Sequence, residues 1–295
     1  FKIRYAGIGK IDHRNRTFHF LKIETKKILI IGASGFIGNA IYKELCNYFD
    51  TYGTYCHAAN SYSSNKQFVQ YNVEEDDIVE VLEEIKPQVI ISALRGNFAA
   101  LVIAHDHMVK YVAEEKCKLY FISSANVFDA YSKYPSYEMD KTLSESVYGR
   151  LKIKIENMLL RLPKEKMAIL RVPMVFGNAS PRIKAMKKSI IENESVEVFP
   201  NLILNVTNDD KLTQQIHYLI NRNKTGIYHL GSNDLTHHED FIKEILERVG
   251  NFNPIIKRVY TTNEDRYLAV LPKTNKLPKN LQFTFQDIID HHVLN

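Results

Sequence analysis

The stretch Lys27–Gly38, which reads Lys-Ile-Leu-Ile-Ile-Gly-Ala-Ser-Gly-Phe-Ile-Gly, constrains the fold more than any other part of the chain. The apolar run Ile28–Ile31 predicts a strand that is buried on both faces. Three glycines follow in G-x-x-G-x-x-G spacing, and an amphipathic helix is then predicted from one apolar face formed by Ile37, Ile41, Leu45 and Tyr48. A strand, a glycine turn and a helix start present free backbone N–H groups to a phosphate. We therefore predict a dinucleotide-binding unit; the alternative is a tight turn in another doubly wound protein.

Strands and helices alternate along the first part of the chain. Further strands are predicted at 52–56, 67–71, 89–92, 119–122 and 167–172, and further helices at 76–85, 98–115 and 147–160. Such alternation implies a parallel sheet with right-handed crossovers. The fold class is therefore α/β, with a Rossmann-like doubly wound parallel sheet over residues 27–172.

The pattern changes after Pro173. A partly helical segment is predicted at 179–191, an extended one at 196–204, helices at 209–220 and 241–249, and a strand at 226–230. We interpret residues 173–295 mainly as a smaller C-terminal α/β substrate lobe, with residues 205–230 returning to the first domain. Residues 1–26 form an N-terminal extension that is either a β-hairpin or the tail of something upstream.

Charge and cysteine content narrow the function classes. The 295 residues carry a net charge of only +5 and no long basic run, which argues against nucleic-acid binding. The three cysteines show no C-x-x-C spacing, so a reducing cytoplasm is expected, and the histidines show no metal-ligand spacing. No apolar run approaches a membrane span and no signal-peptide pattern is present, so no membrane partner is expected.

A candidate catalytic set lies downstream of the glycine turn. Ser123 and Ser124 follow a predicted strand, and ligands of open α/β sheets bind at the carboxyl ends of strands. Tyr148 and Lys152 are four residues apart and therefore share a helix face. A nearby ammonium would lower the pKa of the phenol and make it a better acid near neutrality. We predict Ser124, Tyr148 and Lys152 as the catalytic residues, with Ser124 polarising a substrate oxygen.

These motifs together resemble the extended short-chain dehydrogenases/reductases. Within that superfamily the chain is similar to the dTDP-4-dehydrorhamnose reductase family, on the motifs Gly32–Gly38, Ser123–Phe128, Tyr148–Lys152 with Glu156 behind it, and Leu170–Gly177. The resemblance implies a nicotinamide cofactor and a Ser/Tyr/Lys triad that reduces a nucleotide-activated keto sugar, in a pathway such as polysaccharide biosynthesis. A homodimer is also possible.

The resemblance assigns further residues to two sites. The expected cofactor-binding residues are Gly32, Ser34, Gly35, Phe36, Ile37, Gly38, His57, Asn72, Val73, Ala93, Tyr148 and Lys152. The expected substrate-binding residues are Arg95, Ser124, Asn126 and Arg182, where Arg182 belongs to a basic run that suits a diphosphate or simply a solvated helix face. We expect no metal site.

The nature of the cofactor and of the reaction is less constrained. No acid follows the second strand at 55–60 to bind a ribose 2′-hydroxyl, which favours NADP and leaves NAD possible. One alternative is an epimerase or dehydratase that keeps its cofactor tightly bound. A dehydratase needs an extra acid/base pair, for which Glu138 and Asp140 are the nearby candidates. Another is a non-catalytic NAD(P)-binding regulatory protein resembling the regulatory subunit of methionine adenosyltransferase.

Overall fold

A computed structural model describes residues 25–57, 62–248 and 254–290. The predicted N-terminal extension lies outside these residues, except for its last two positions. Within the described residues the strands β1–β14 are, in chain order, Lys27–Ile31, Asp50–Tyr55, Phe68–Gln70, Val89–Ser92, Lys118–Ile122, Met167–Arg171, Met174–Phe176, Val196–Val198, Leu202–Leu204, Val206–Asn208, Gly226–His229, Thr236–His237, Ile256–Arg258 and Arg266–Leu268.

The helices of the described residues separate most of these strands. In chain order, α1–α8 are Phe36–Leu45, Ile78–Ile85, Phe98–Glu114, Val147–Leu159, Pro181–Ile191, Asp209–Asn221, His238–Arg248 and Phe285–Asp290. Side-chain caps explain several starts. The side chains of Asp77, Ser146 and Asn208 each accept a backbone N–H from the first turn of α2, α4 and α6, respectively.

The centre of the molecule is a seven-stranded sheet in the order β11-β6-β5-β4-β1-β2-β3, with every neighbouring pair parallel. Strand β1 lies between β2 and β4, so Ile28 is aligned with both Thr51 and Val89. The strand order reverses here, which creates a crevice at the carboxyl ends of β1 and β4. The predicted fold class is confirmed.

The sheet is covered on both faces. Ile28 and Ile30 point into a core that includes residues of α1 and α6, whereas Leu29 and Ile31 point into a core that includes residues of α2, α3 and α4. This alternation explains why the first strand is apolar at every buried position. At about 25 cal/mol per Å² of apolar area removed from water, such two-sided burial is the main stabilising term of the fold.

A third core lies in the C-terminal part of the chain. It includes Phe176, Val198, Val206, Phe241 and Ile288, from β7, β8, β10, α7 and α8. Strand β11 pairs with β6 at the edge of the seven-stranded sheet, while β10 pairs with β7 in a separate two-stranded sheet. The C-terminal segments therefore build this third core and also extend the main sheet.

Several element boundaries differ from prediction, and three of the differences are informative. Helix α2 begins at Ile78 rather than at residue 76, because Asp77 is its cap. Helix α7 begins at His238 rather than at residue 241, with Glu239 and Asp240 in its first turn, where acidic residues favour the helix dipole. The predicted extended segment 196–204 is two strands, β8 and β9, separated by a turn that contains Pro200.

Candidate active site

The glycine turn is closed by contacts that leave no room for side chains. Gly32 ends β1 with φ of +86°, and its N–H donates to Thr54 Oγ1 at 2.9 Å. A Cβ on Gly38 would lie 2.2 Å from the carbonyl oxygen of Gly32, and one on Gly35 would lie 3.3 Å from the same atom. Helix α1 therefore starts directly against the end of β1.

The start of α1 is available to an anion. Gly35 occupies the cap position, and no side chain of the described residues caps the helix. The N–H groups of the first turn, at Phe36 and Ile37, have no partner one turn earlier within the helix. Ser34 and Gly35 are exposed at this turn. A helix start of this kind suits a pyrophosphate.

Ala93 forms the opposite wall of the glycine turn. It follows β4, and its N–H donates to Ile31 O at 2.9 Å. A Cβ on Gly32 would lie 2.9 Å from Ala93 O, so the backbones of the two segments are in close contact. Further along the loop after β4, Gly96 packs against Val73 of the loop after β3. A Cβ added to Gly96 would lie 2.8 Å from Val73 Cγ1.

The far end of the crevice is acidic. His57 and Asn72 line a cavity together with Cys56, Glu75 and other carboxylates. Burial raises the pKa of the Cys56 thiol, and the charges of Glu75, Asp76 and Glu74 raise it further. The sequence prediction identified no acid here because these carboxylates follow β3 rather than β2. Their charges make this end of the sheet electronegative.

Tyr148, Lys152 and Ser124 meet at the carboxyl end of β5. The Ser124 hydroxyl, which donates to Asn126 Oδ1 at 3.0 Å, also lowers the pKa of the Tyr148 phenol through a hydrogen bond. The Lys152 ammonium lies 5.7 Å from the centre of the Tyr148 ring. The structure thus brings together the three residues predicted as catalytic, with Asn126 beside them.

Gly149 allows this close approach of α4. A Cβ at that position would lie 2.1 Å from Ser144 Oγ and 2.3 Å from Asn126 O. The cap residue Ser146 accepts the Gly149 N–H at 3.0 Å and donates to Asp129 Oδ2 at 2.5 Å. The helix that carries the tyrosine is therefore held against the loop that carries the serine.

The expected lowering of the Tyr148 pKa by Lys152 is wrong for this structure. Burial raises the pKa of Tyr148, and the groups that oppose this are Arg95 and Ser124. Lys152 donates instead to Ile122 O at 2.8 Å, and burial lowers its pKa to about 8. The phenol is therefore protonated at neutral pH and has a proton to donate, although burial moves its pKa away from the neutral range.

The two predicted substrate arginines occupy different places. Arg95 is exposed on the loop after β4, and its charge lowers the pKa of both Tyr148 and Lys152, so it faces the catalytic set. Arg182 lies at the start of α5. Burial lowers its pKa, and its charge contributes to lowering the pKa of His238 to about 4. Arg182 therefore lies beside the start of α7.

Glu138 and Asp140, the acid/base candidates of the alternative reaction, are occupied by backbone contacts. Glu138 is buried and accepts the N–H groups of Lys273, Thr274 and Asn275. Burial would raise its pKa, but these hydrogen bonds outweigh burial and lower it. Asp140 Oδ2 accepts the N–H of Tyr137 at 2.7 Å. Both carboxylates hold loops in place.

A buried network behind the triad was not predicted. Ser123 Oγ donates to Glu156 Oε1 at 2.5 Å, and Arg171 binds the same carboxylate through Nη2 at 2.8 Å and Nε at 3.1 Å. The i, i+4, i+8 spacing of Tyr148, Lys152 and Glu156 was a usable signal, because it predicts one helix face. The partners of Glu156 were not accessible to that reasoning.

No metal centre emerges from the described part of the chain, where no group of three or more potential ligands is found. The buried His105 lies between α3 and β4, with Nδ1 2.6 Å from Leu101 O and Nε2 2.8 Å from Ser92 Oγ. Burial lowers its pKa to about 4, so it is a neutral core residue.

In the described part of the chain, no helix combines the length and apolar character that a membrane crossing requires.

The parallel sheet and the glycine turn define the class: the chain has a Rossmann-like, doubly wound α/β fold. It belongs to the family of the RmlD substrate binding domain, whose sequence model matches residues 26–280. The suspected resemblance is thereby confirmed at the level of the family.

Two solved structures illustrate the likeness in fold. The dTDP-4-dehydrorhamnose reductase of Bacillus anthracis, in complex with NADP, has a TM-score of 0.72 and 21% identity, covering 90% of this chain and 98% of that one. The dTDP-glucose 4,6-dehydratase of the same organism, in complex with NAD, has a TM-score of 0.70 and 18% identity, covering 88% and 96%. At these identities the comparison shows the shared fold.

The chain is also similar to a curated protein that is not named as a reductase. Methionine adenosyltransferase 2 subunit beta of Xenopus tropicalis is 29% identical over 170 residues, which are 53% of this chain and 49% of that protein. The chain thus matches about half the length of such curated relatives.

Proposed function

We propose that the protein is an NAD(P)-dependent reductase of a nucleotide-activated keto sugar, similar to the dTDP-4-dehydrorhamnose reductases. The single observation that carries this proposal is the meeting of Ser124, Tyr148 and Lys152 at the carboxyl end of β5, opposite the glycine turn. A protein that only bound a cofactor would not require a buried lysine beside a phenol that stays protonated.

The residues present fit a dinucleotide. The uncapped first turn of α1 offers N–H groups, and the positions of Gly32 and Gly38 would be filled by any Cβ. Gly32, Ser34, Gly35, Phe36, Ile37, Gly38 and Ala93 would hold the pyrophosphate and its neighbourhood, with Val73, Asn72 and His57 towards the adenosine. NADP is the proposed cofactor and NAD remains an alternative, since solved neighbours contain one or the other.

The proposed mechanism divides three tasks among the chain's own residues. A bound reduced nicotinamide supplies the hydride to the carbonyl carbon of the substrate. Tyr148 donates its phenolic proton to the carbonyl oxygen, and Ser124 orients that oxygen through its hydroxyl. Lys152, charged below its pKa of about 8, stabilises the phenolate that forms on Tyr148. Asn126 and Arg95 contact the substrate near this point.

Arg182 contributes to the substrate site in this proposal through the diphosphate. Its guanidinium carries a positive charge at the exposed start of α5, close enough to His238 to lower the pKa of that imidazole. A planar guanidinium binds phosphate oxygens in pairs.

The same proposal includes four further points. They are the domain division at 27–172 and 173–295, a homodimer, a role in polysaccharide biosynthesis and a cytoplasmic location.

A second candidate function is a non-catalytic, cofactor-binding regulatory role. It is favoured by the similarity to methionine adenosyltransferase 2 subunit beta. An epimerase or dehydratase is a further alternative. The dehydratase is the weaker of the two, because its acid/base candidates Glu138 and Asp140 already accept backbone N–H groups.

One experiment separates these functions. The gently purified protein is incubated with NADPH or NADH and a dTDP-4-keto-6-deoxy sugar, while absorbance at the reduced-nicotinamide band and product mass are followed. Stoichiometric cofactor oxidation with a product two mass units heavier supports the reductase. In a parallel incubation with a dTDP-hexose that keeps its 4- and 6-hydroxyl groups, retained NAD and an isomerised or dehydrated product indicate the epimerase or dehydratase. Cofactor binding with no turnover of any sugar nucleotide indicates the regulatory role and contradicts the reductase.

A further inference from the structure

Helix α4, which carries Tyr148 and Lys152, contacts the end of β5 at three successive points. The hydroxyl of Ser124 lies beside Tyr148, the carbonyl of Ile122 accepts from Lys152, and the hydroxyl of Ser123 donates to Glu156. The three helix residues are spaced by four, so each belongs to the next turn of one face. Glu156 is therefore the third member of the row that begins with the catalytic tyrosine.

The Glu156 carboxylate is fixed from two sides. Arg171 on β6 binds it through Nη2 and Nε, and both side chains are almost inaccessible to solvent, at 3% and 2%. The remaining guanidinium nitrogen of Arg171 donates to Glu138 O and to His229 Nε2. The pair is fully hydrogen-bonded, yet buried pairs of this kind seldom increase stability over an apolar replacement. Stability alone therefore does not account for the buried Glu156–Arg171 pair.

Lys152 is enclosed by two neutral side chains and by two charged side chains of opposite sign. Tyr148 and Glu156 face it from its own helix, Arg95 faces it from the loop after β4, and His105 faces it from α3. His105 is neutral, and Arg95 is positive. Glu156 is the negative group of this set, and it raises the pKa of Lys152 against the effects of burial and Arg95.

We propose that Glu156, held by Arg171 and Ser123, is a positioning residue for the reaction: its fixed negative charge keeps the buried Lys152 amine protonated and directed at the end of β5. This inference rests on the proposed function, because it assigns a purpose to the charge of Lys152. Glu156 does not reach the reacting atoms and acts through Lys152.

Two substitutions separate charge from packing. Glu156→Gln keeps the shape of the side chain and removes its charge, whereas Glu156→Asp keeps the charge and shortens the side chain. Glu165→Gln, at an exposed glutamate outside the network, is the control. Folding of each variant is checked by circular dichroism, and the Asp variant keeps the test informative if the Gln variant does not fold.

The first readout needs no activity. With ¹³Cε-labelled lysine, the Lys152 signal is assigned by its loss in Lys152→Met, and its pKa is followed by NMR. We expect Glu156→Gln to lower the Lys152 pKa by about one unit or more, and Glu156→Asp and Glu165→Gln to change it little. An unchanged pKa in a folded Glu156→Gln protein, or a fall of the same size in Glu156→Asp, would overturn the proposal.

The second readout is the pH profile of kcat/KM. Because protonated Lys152 is the active form, its alkaline limb should move to lower pH in Glu156→Gln by the same amount as the Lys152 pKa. An alkaline limb that stays in place while the Lys152 pKa falls would contradict the proposed role. Absence of turnover in the wild-type protein would instead count against the proposed function, and the NMR result would still decide the charge effect.

Discussion

The Lys152 ammonium donates a 2.8 Å hydrogen bond to the carbonyl oxygen of Ile122, the last residue of β5. The contact anchors the catalytic helix to the strand end that also carries Ser124. It also directs the ammonium at a backbone dipole, with the faces of Phe121 and Tyr148 at 4.5 and 5.7 Å. The lysine is thus buried, partnered and close to the tyrosine without an ion pair.

Activity should fall as the pH rises through about 8. Burial lowers the pKa of Lys152 to about 8, so the amine is charged below this pH and neutral above it. If the charged form stabilises the Tyr148 phenolate, kcat/KM is highest below the pKa and declines above it. The profile is measured from pH 6 to 10. Lys154→Met, at an exposed lysine on the same helix, should leave the pH profile unchanged. Lys152→Met should remove the decline of kcat/KM near pH 8.

Gly38→Ala should abolish cofactor binding. An added Cβ would lie 2.2 Å from Gly32 O, so the start of α1 must move away from the glycine turn. The helix N–H groups would then no longer converge on the pyrophosphate. Binding of NADPH and NADH is measured by calorimetry or by quenching of intrinsic fluorescence, with Asn39→Ala as the control one residue further along. Wild-type affinity in a folded Gly38→Ala protein would show that the turn does not hold the cofactor.

Glu75→Gln should shift cofactor preference towards NADPH. Glu75 belongs to the group of carboxylates beside Cys56 and His57, and a negative charge there repels the additional phosphate of NADP. The ratio of Kd for NADH to Kd for NADPH should rise several-fold at low salt and less at high salt. The exposed Glu114→Gln, at the end of α3, should leave the ratio unchanged. An equal effect of both substitutions would indicate a general charge effect.

Arg171→Leu should destabilise the protein by about 3–5 kcal/mol, because it leaves the Glu156 charge buried without its partner. The exposed pair Lys188–Glu192 provides the contrast: its atoms are 3.7 Å apart and its side chains are well solvated. Glu192→Gln should change the free energy of unfolding by less than about 1 kcal/mol. Urea unfolding monitored by circular dichroism measures both values. A cost below about 1 kcal/mol for Arg171→Leu would mean that Glu156 becomes protonated or solvated.

The parts of the site that depend on local spacing were predictable from the sequence. The glycine turn follows from three glycines between a strand and a helix, and the shared face of Tyr148 and Lys152 follows from their spacing of four. The position of Ser124 follows from its place after an apolar strand. Each of these inferences uses residues that are close together in the chain.

Contacts across long sequence separations were not predictable. Glu138 has the composition of a candidate acid, but its carboxylate accepts backbone N–H groups from residues 273–275, more than 130 positions away. The direction of the Tyr148 pKa shift also depends on burial by the whole fold, which raises it and which the pairing of Tyr148 with Lys152 alone does not include. The Arg171–Glu156 pair likewise requires knowledge that α4 packs against β6.

The central claim is that Tyr148 donates the proton in a hydride-transfer reaction. The most direct test uses NADPH deuterated at C4 with a dTDP-4-keto sugar, and follows deuterium in the sugar product by mass spectrometry for the wild type and Tyr148→Phe. We predict deuterium transfer by the wild type and a rate lower by about 10²–10⁴-fold in Tyr148→Phe. Equal transfer rates for the two proteins, or no deuterium in the wild-type product, would contradict the account.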